Sequence, residues 1–236
     1  MTQGNEKRSR TAAGIALRVG TIAIALLVEA ALLFGGAGRL DWAWAWVYFG
    51  ITGVTLAAGG AIMFRTSPET IAERGRPREV RDWDKIVSVV WLVAGYLALP
   101  LVAGLDERLS WSPALGLIWH VAGAFGLAVG YGITVWALQA NAYFSTAVRI
   151  QGERGHTVCR SGPYRYVRHP GYVGYGLQFL AMPFLLGSLW ALLPALAALM
   201  AIVTRTALED RMLHADLPGY VEYAREVDYR LVPGIW

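Results

Sequence analysis

A run of thirteen residues, GPYRYVRHPGYVG, holds the side chains of this chain that are best suited to chemistry. It extends from Gly162 to Gly174 and contains two arginines, one histidine and three tyrosines. Because apolar tracts precede and follow it, the run is expected to lie at the edge of a membrane. Ionisable groups beside hydrocarbon are costly unless they pair internally or face water or a ligand. The run is therefore predicted to form a functional site.

The order of residues inside the run indicates what the site would bind. Pro170 keeps His169 out of the helical region, so a helix is predicted to begin at this point. The backbone N–H groups and the dipole of a helix start favour anions. Arg168 adds a guanidinium fork that can hold a carboxylate with two hydrogen bonds. An anionic group is thus the expected ligand of this junction.

A second polar stretch, RTALEDRML, begins at Arg205 and is predicted to continue a helix out of the last apolar tract. Glu209 lies one helical turn from Arg205, and Asp210 lies about 100° round the helix from Glu209. Carboxylates at a membrane exit can accept hydrogen bonds from hydroxyl or ammonium groups. A break follows, and Tyr220 and Tyr223 are then expected on one face of a short amphipathic helix.

The elements that must position these residues are membrane helices. Hydrophobic residues make up 56% of the 236 residues and charged residues 16%, and the mean hydropathy is +0.41. These values are typical of a multi-pass membrane protein and not of a soluble domain. An all-α, polytopic transmembrane bundle is therefore predicted, with its polar loops and tail as caps.

Apolar tracts of the length needed to cross a bilayer, about 20 residues, divide the chain. A longer tract, Tyr172 to Thr204, is interrupted by Pro183 and by Gly187, which favours a helical hairpin. In the fourth predicted span, the glycines at positions 123, 126 and 130 indicate close packing against another helix. Five to six passes are expected, with residues 1–138 as an N-terminal helical part and residues 139–236 as the catalytic core. The four preceding spans are predicted at Ala13 to Leu33, Trp42 to Phe64, Lys85 to Gly104 and Pro113 to Leu138.

The basic residues predict which side of the membrane each loop occupies. The loops after the first and third spans hold one arginine each, Arg39 and Arg108. The other segments hold many, so the positive-inside rule places them in the cytosol of a cell-membrane protein, with the active site on that side. The residues concerned are Lys7, Arg8, Arg10 and Arg18, then Arg65, Arg74, Arg76, Arg78, Arg81 and Lys85, then Arg149, Arg154, Arg160, Arg165 and Arg168.

Several classes of site are not indicated by the sequence. A single cysteine, Cys159, excludes an intramolecular disulfide and CxxC-type metal sites. The four histidines show no paired ligand spacing, so no metal is expected. The net charge of +4 matches membrane topology and anionic lipid, and no nucleic-acid motif is present.

The last third of the chain resembles the isoprenylcysteine carboxyl methyltransferase and phospholipid methyltransferase superfamily of integral membrane enzymes. The resemblance rests on GPYRYVRHPGYVG, the acidic pair Glu209-Asp210, the spacing from Gly219 to Tyr223, and the terminal YRLVPGIW. It implies methyl transfer from S-adenosylmethionine to a lipophilic acceptor that arrives laterally from the bilayer. The superfamily often has two glutamates where this chain has Glu209-Asp210.

The resemblance also implies site residues. Its cofactor pocket maps onto eight residues: Gly162, Tyr164, His169, Pro170, Tyr172, Gly174, Glu209 and Asp210. Arg168 and Arg205 are the candidates for orienting a carboxylate acceptor, which needs no base. An amine acceptor would have to lose a proton, for which Glu209 is a candidate.

Other functions compete with carboxyl methylation of an isoprenylcysteine-type acceptor. N-methylation of a phospholipid amine would use the same cofactor-binding half of the site. An NADPH-dependent sterol-type reductase shares a histidine near a final hairpin and a similar C-terminus, but the chain has Pro170-Gly171-Tyr172 in place of the Asn-Tyr of that group. A transporter or non-catalytic subunit would more often carry charges near the midplane and paired repeats.

Overall fold

The computed structural model describes residues 2–75 and 81–236, with side chains from residue 8 onward in those ranges. Arg76 and Arg78, and the side chain of Lys7, lie outside the described residues. No strand occurs in the described ranges, so the predicted all-α class is confirmed.

The helices follow one another with short connections. The third membrane-spanning segment consists of α4, a π-helical stretch Leu92–Ala98 and α5, which form one continuous rod. Two short 3₁₀ turns, Gly152–Arg154 and Gly162–Arg165, lie in the connection between α6 and α7. The α-helices are α1 Thr2–Ala37, α2 Ala43–Thr66, α3 Pro68–Gly75, α4 Asp82–Trp91, α5 Leu99–Leu109, α6 Leu117–Ala140, α7 Pro170–Leu186, α8 Leu192–Asp216 and α9 Tyr220–Glu226.

Membrane-spanning helices account for most of the described chain. By length and composition, five segments can cross a bilayer: Arg8–Ala37, Ala43–Thr66, Asp82–Leu109, Leu117–Ala140 and Leu192–Asp216. The remaining long helix, α7, has 17 residues and is about 26 Å long, close to the thickness of the hydrocarbon core. The predicted polytopic bundle is confirmed, and its helices extend beyond the predicted bounds at several ends.

The last apolar tract forms the predicted helical hairpin, and of its two predicted break points only Gly187 interrupts the helix. Pro183 lies inside α7, and the helix ends at Gly187, whose φ of +79° is left-handed. Glycine adopts this conformation without steric cost, so the chain can reverse there. Near the turn, Asp106 accepts a hydrogen bond of 2.7 Å from the backbone N–H of Ser112 and one from the hydroxyl of Ser188.

The helices alternate in direction, so α3, the loop 141–169 and the tail 217–236 lie together. We call this the basic end of the bundle. Arg81, before α4, pairs with Asp216 at the end of α8 at 2.6 Å, and Thr70 of α3 donates to the carbonyl of Ala142 at 3.0 Å. The two sequence segments that were expected to share a site are therefore on the same side of the bundle.

Close packing of α6 against α7 supports that end of the bundle. A Cβ added to Gly123 would come within 2.3 Å of the backbone nitrogen of Leu185. A Cβ added to Gly174 would come within 2.3 Å of Thr134 Oγ1 and 2.6 Å of the carbonyl oxygen of Gly130. The predicted packing role of these glycines in α6 is confirmed, and Gly174 contributes to the same contact from α7.

Replacing Gly174 by alanine is expected to destabilise the protein, because backbone atoms on α6 would have to move. Overpacking of this kind typically costs about 1–3 kcal/mol. Gly132→Ala on α6 is the matched control, since an added Cβ there meets nothing within 4 Å. Thermal unfolding in detergent should show a lower midpoint for Gly174→Ala only. Equal midpoints for the two variants would contradict the close contact.

Candidate active site

Backbone hydrogen bonds join the junction before α7 to the C-terminal tail. The N–H of Arg168 donates to the carbonyl of Tyr229 at 2.9 Å, and the N–H of His169 donates to that of Arg230 at 3.0 Å. His169 caps α7, which begins at Pro170 as predicted. The tail thus covers the polar junction.

Asp210 on α8 is the centre of a buried ionic cluster. Its side chain is 2% exposed and accepts hydrogen bonds from Arg168 Nε at 2.8 Å, Arg230 Nε at 2.8 Å and the Tyr220 hydroxyl at 2.8 Å. His169 Nε2 lies 3.3 Å from the same carboxylate. One carboxylate therefore links the loop, the exit helix and the tail.

The guanidinium of Arg168 is fully engaged within the protein. Nη2 also contacts Asp210, and Nη1 donates to the carbonyls of Val227 and Asp228 at 2.7 and 2.8 Å. Burial would lower the pKa of Arg168, but the hydrogen bonds and charge of Asp210 outweigh it and raise the pKa. In this structure its fork binds Asp210 and not a ligand.

Arg205 is engaged in a second buried ion pair. Its Nη2 donates to Asp84 Oδ2 at 3.1 Å and to the carbonyl of Thr146 at 2.8 Å. Asp84, on α4, also accepts from the backbone N–H of Val148 at 2.8 Å. This pair ties α4 and the loop 141–169 to α8. Asp84 was not predicted to be a site residue. Its only notable feature in the sequence is its position near the start of a predicted helix.

A cleft opens at the basic end between the loop 141–169, α8 and the tail. Its empty space, with the open mouth included, is about 750 Å³. Glu209 reaches into it, and the hydroxyl of Tyr172 donates to the Glu209 carboxylate. Six of its lining residues are tyrosine or phenylalanine: Tyr143, Phe144, Tyr164, Tyr172, Tyr220 and Tyr223.

The predicted site residues divide into two groups. Tyr164, Arg168, His169, Tyr172 and Glu209 line the cleft. The others do not border this cleft: they form the two ion pairs, begin a helix or pack between helices. These residues are Gly162, Pro170, Gly174, Arg205 and Asp210.

Gly162 and Pro170 have local conformational roles beside the cleft. Gly162 has a φ of +58° and begins the 3₁₀ turn, and a Cβ added to it would come within 2.9 Å of the Ala140 side chain. Pro170 occupies the first turn of α7, where its missing N–H needs no partner. Both residues shape the loop that carries the lining side chains.

The loop 141–161 supplies lining residues that the sequence analysis did not assign. Tyr143 donates to the carbonyl of Gly155 at 2.8 Å, and its own carbonyl accepts from Gln151 Nε2 at 2.7 Å. Cys159 lines the cleft and directs its thiol to the carbonyl of Ala140. In the sequence, the adjacent aromatic residues Tyr143 and Phe144 were the feature that could have indicated this side of the cleft.

His156, in the same loop, lines the cleft and has a lowered pKa. Burial, together with the positive charges of Arg154 and Arg149, lowers its pKa to about 4. His156 is therefore neutral near pH 7, and its ring lies 4.5 Å from that of Tyr143. As the pH falls from about 6.5 to about 4, the unfolded state binds a proton at His156 more readily than the folded state does. The folded protein therefore loses stability in this pH range.

Tail tyrosines close the other side of the cleft. Tyr223 donates to the carbonyl of Tyr164 at 2.7 Å. Burial raises the pKa of Tyr220 and Tyr223, and the charge of Asp210 adds to this effect at Tyr220, so both keep their protons. Among the residues that the structure describes, no group of three or more histidine, cysteine or acidic side chains could hold a metal ion.

Comparison with known proteins supports the assignment of this region. Residues 124–215 match the model of the isoprenylcysteine carboxyl methyltransferase (ICMT) family. The match includes the arginine-histidine-proline junction, α7, α8 and the acidic pair, which are the elements that build most of the cleft. No curated protein matches the chain. This segment of the chain is therefore similar to the membrane methyltransferases of the isoprenylcysteine carboxyl methyltransferase family, and it lies within a bundle of helices that can span a membrane.

Proposed function

We propose that the protein transfers a methyl group from S-adenosylmethionine to the carboxylate of a lipophilic, isoprenylcysteine-type acceptor. The observation that carries this proposal is the aromatic cleft into which Glu209 projects at the basic end of the bundle. The family match over residues 124–215 supports methyl transfer as the type of reaction.

The residues of the cleft fit S-adenosylmethionine. Glu209 has one hydrogen-bond donor in Tyr172 and further lone pairs that could accept from ribose hydroxyls or the ammonium group. The aromatic faces can stack with the adenine and attract the sulfonium cation. The neutral His156 adds no positive charge against that cation. We assign Glu209, Tyr164, His169 and Tyr172 to cofactor binding.

The chemistry requires mainly positioning. When bound, S-adenosylmethionine supplies an electrophilic methyl group that needs no further activation. An ionised carboxylate acceptor needs no base, so the chain has to orient it and exclude water. The ion pairs of Asp210 and Asp84 hold the loop and tail over the cleft, which is the role we assign to Arg168 and Arg205 in place of direct acceptor contact.

The acceptor is proposed to reach the cleft from the bilayer, and the cleft to face the cytosol. Arg65, Arg81, Lys85 and the arginines of the loop 141–169 lie at the basic end, whereas Arg39 lies at the other. The positive-inside rule then orients the cleft toward the cytosol of a cell membrane. A phospholipid amine is the alternative acceptor and would use the same cofactor half of the cleft.

Ligand binding in detergent tests the cofactor assignment. S-adenosylhomocysteine is expected to raise the thermal midpoint of the purified protein, whereas NADPH is expected to leave it unchanged. Stabilisation by NADPH alone would instead support a sterol-type reductase. Labelled S-adenosylmethionine should then transfer methyl to N-acetyl-S-farnesylcysteine and not to phosphatidylethanolamine. Solute flux without any methyl transfer would favour a transporter.

A further inference from the structure

Arg74 and Arg18, at the basic end of the bundle, have no carboxylate partner among the residues that the structure describes. Arg74 on α3 is only 9% exposed, and its Nη1 is buried with no hydrogen-bond partner. Arg18 on α1 lies close enough for the two charges to repel each other. Neither makes a salt bridge with any residue that the structure describes, although Arg149, Arg168 and Arg205 all do. A buried cation is costly without a counter-ion, and the carboxylate of a ligand would supply one here.

The surroundings of Arg74 contain further unused donors. Its Nη2 donates to the Tyr175 hydroxyl at 3.2 Å. The ring of Trp91 lies 5.0 Å from that of Tyr175, and the buried Nε1 of Trp91 also lacks a hydrogen-bond partner. The Arg74 guanidinium and the Trp91 ring thus both contact Tyr175, and each has a buried N–H group with no partner among the described residues.

This cluster adjoins the cleft. The Arg74 guanidinium lies 5.1 Å from the centre of the Phe144 ring, and Phe144 lines the cleft. Trp91 also contacts Tyr172, the partner of Glu209, with ring centres 6.5 Å apart. The backbones of α1 and α3 touch here, since a Cβ on Gly75 would lie 3.1 Å from the backbone nitrogen of Arg18. Arg18 and Arg74 therefore lie where the membrane helix α1 approaches the cleft.

We propose that Arg74, with Arg18, Tyr175 and Trp91, binds the carboxylate of the methyl acceptor beside the cofactor cleft. The inference rests on the proposed methyltransferase function, and three of the four residues, Arg18, Arg74 and Trp91, lie outside the matched family segment. Arg168 and Arg205 are held by Asp210 and Asp84, whereas Arg74 pairs with no carboxylate of the described residues and has its Nη1 available for a planar carboxylate. Binding by cations keeps the carboxylate ionised, so no proton has to move.

Steady-state kinetics of Arg74→Gln provide the first test. With N-acetyl-S-farnesylcysteine as acceptor, its KM is expected to rise at least tenfold, while the KM for S-adenosylmethionine stays within twofold. Arg74→Lys, which retains the charge but not the fork, should lie between wild type and Arg74→Gln. Arg65→Gln is the matched control, because Arg65 is an exposed arginine at the same end of the bundle. An unchanged acceptor KM in Arg74→Gln would overturn the assignment.

A binding measurement separates this inference from the proposed function. In the presence of S-adenosylhomocysteine, thermal stabilisation by the S-farnesylcysteine carboxylate is compared with that by its carboxamide. Wild type is expected to prefer the carboxylate at least tenfold, and Arg74→Gln to lose the preference while retaining S-adenosylhomocysteine binding. Failure of wild type to bind S-adenosylhomocysteine would instead refute the proposed cofactor.

The other source of a lipid-borne anion is a phospholipid headgroup. Phosphatidylglycerol micelles are therefore tested as a third ligand of wild type and Arg74→Gln. The proposal expects no difference between the two proteins toward this lipid. Weaker phosphatidylglycerol binding by Arg74→Gln with unchanged carboxylate binding would assign the cluster to a membrane phosphate and overturn the proposal.

Discussion

Replacing Asp210 by alanine is expected to destabilise the protein strongly and to abolish methyl transfer. The change leaves Arg168, whose side chain is 5% exposed, without its buried counter-ion. Removing one partner of a buried ion pair typically costs about 3–5 kcal/mol. Tyr220 and Arg230 lose the same acceptor, so the tail should detach from the junction before α7.

The matched control is Asp216→Ala on the same helix. Asp216 also forms a salt bridge, with Arg81, but both side chains are about 40% exposed or more. Exposed pairs contribute at most about 1 kcal/mol, so this variant should resemble wild type. Thermal unfolding in detergent and limited proteolysis of the tail measure the difference. Equal stability of the two variants would show that the Asp210 cluster does not hold the tail in place.

Glu209→Gln is expected to weaken cofactor binding without destabilising the bundle. The substitution keeps the shape of the side chain and removes the charge that we assign to the cofactor. A hydrogen bond to a charged group contributes about 1.5–3 kcal/mol, so the Kd for S-adenosylhomocysteine should rise about 10- to 100-fold. Isothermal titration calorimetry in detergent measures this change directly.

Glu222→Gln serves as the control for charge alone. Glu222 is exposed on α9, at the same end of the bundle but outside the lining of the cleft. Its affinity for S-adenosylhomocysteine should match that of wild type. If Glu209→Gln also bound with wild-type affinity, Glu209 would not contact the cofactor, and its hydrogen bond with Tyr172 would be the whole of its role.

These two predictions separate adjacent carboxylates that look equivalent in the sequence. Glu209 and Asp210 differ by about 100° around α8, so one faces the cleft and the other faces the loop and tail. The shorter aspartate suits the close, enclosed contacts with Arg168 and Arg230. The structural role falls to Asp210, and the ligand-facing position falls to Glu209.

The amino-acid sequence by itself determined the class and plan of this protein. Apolar tracts of membrane-spanning length can be folded stably only as helices, because hydrocarbon offers no partners for backbone groups. Gly187 permits the hairpin turn, and even numbers of crossings return the junction at His169 and the acidic pair at Glu209 to one end. The ICMT-like motif needed no structure to be recognised.

Only the tertiary structure decided which charges pair with each other. Arg168 and Asp210 are 42 residues apart, and Arg205 and Asp84 are 121 residues apart, so helix periodicity cannot relate them. A buried guanidinium takes whichever carboxylate the packing of other helices brings to it. For the same reason the sequence did not distinguish the arginines that stabilise the fold from Arg74, which has no carboxylate partner among the residues that the structure describes.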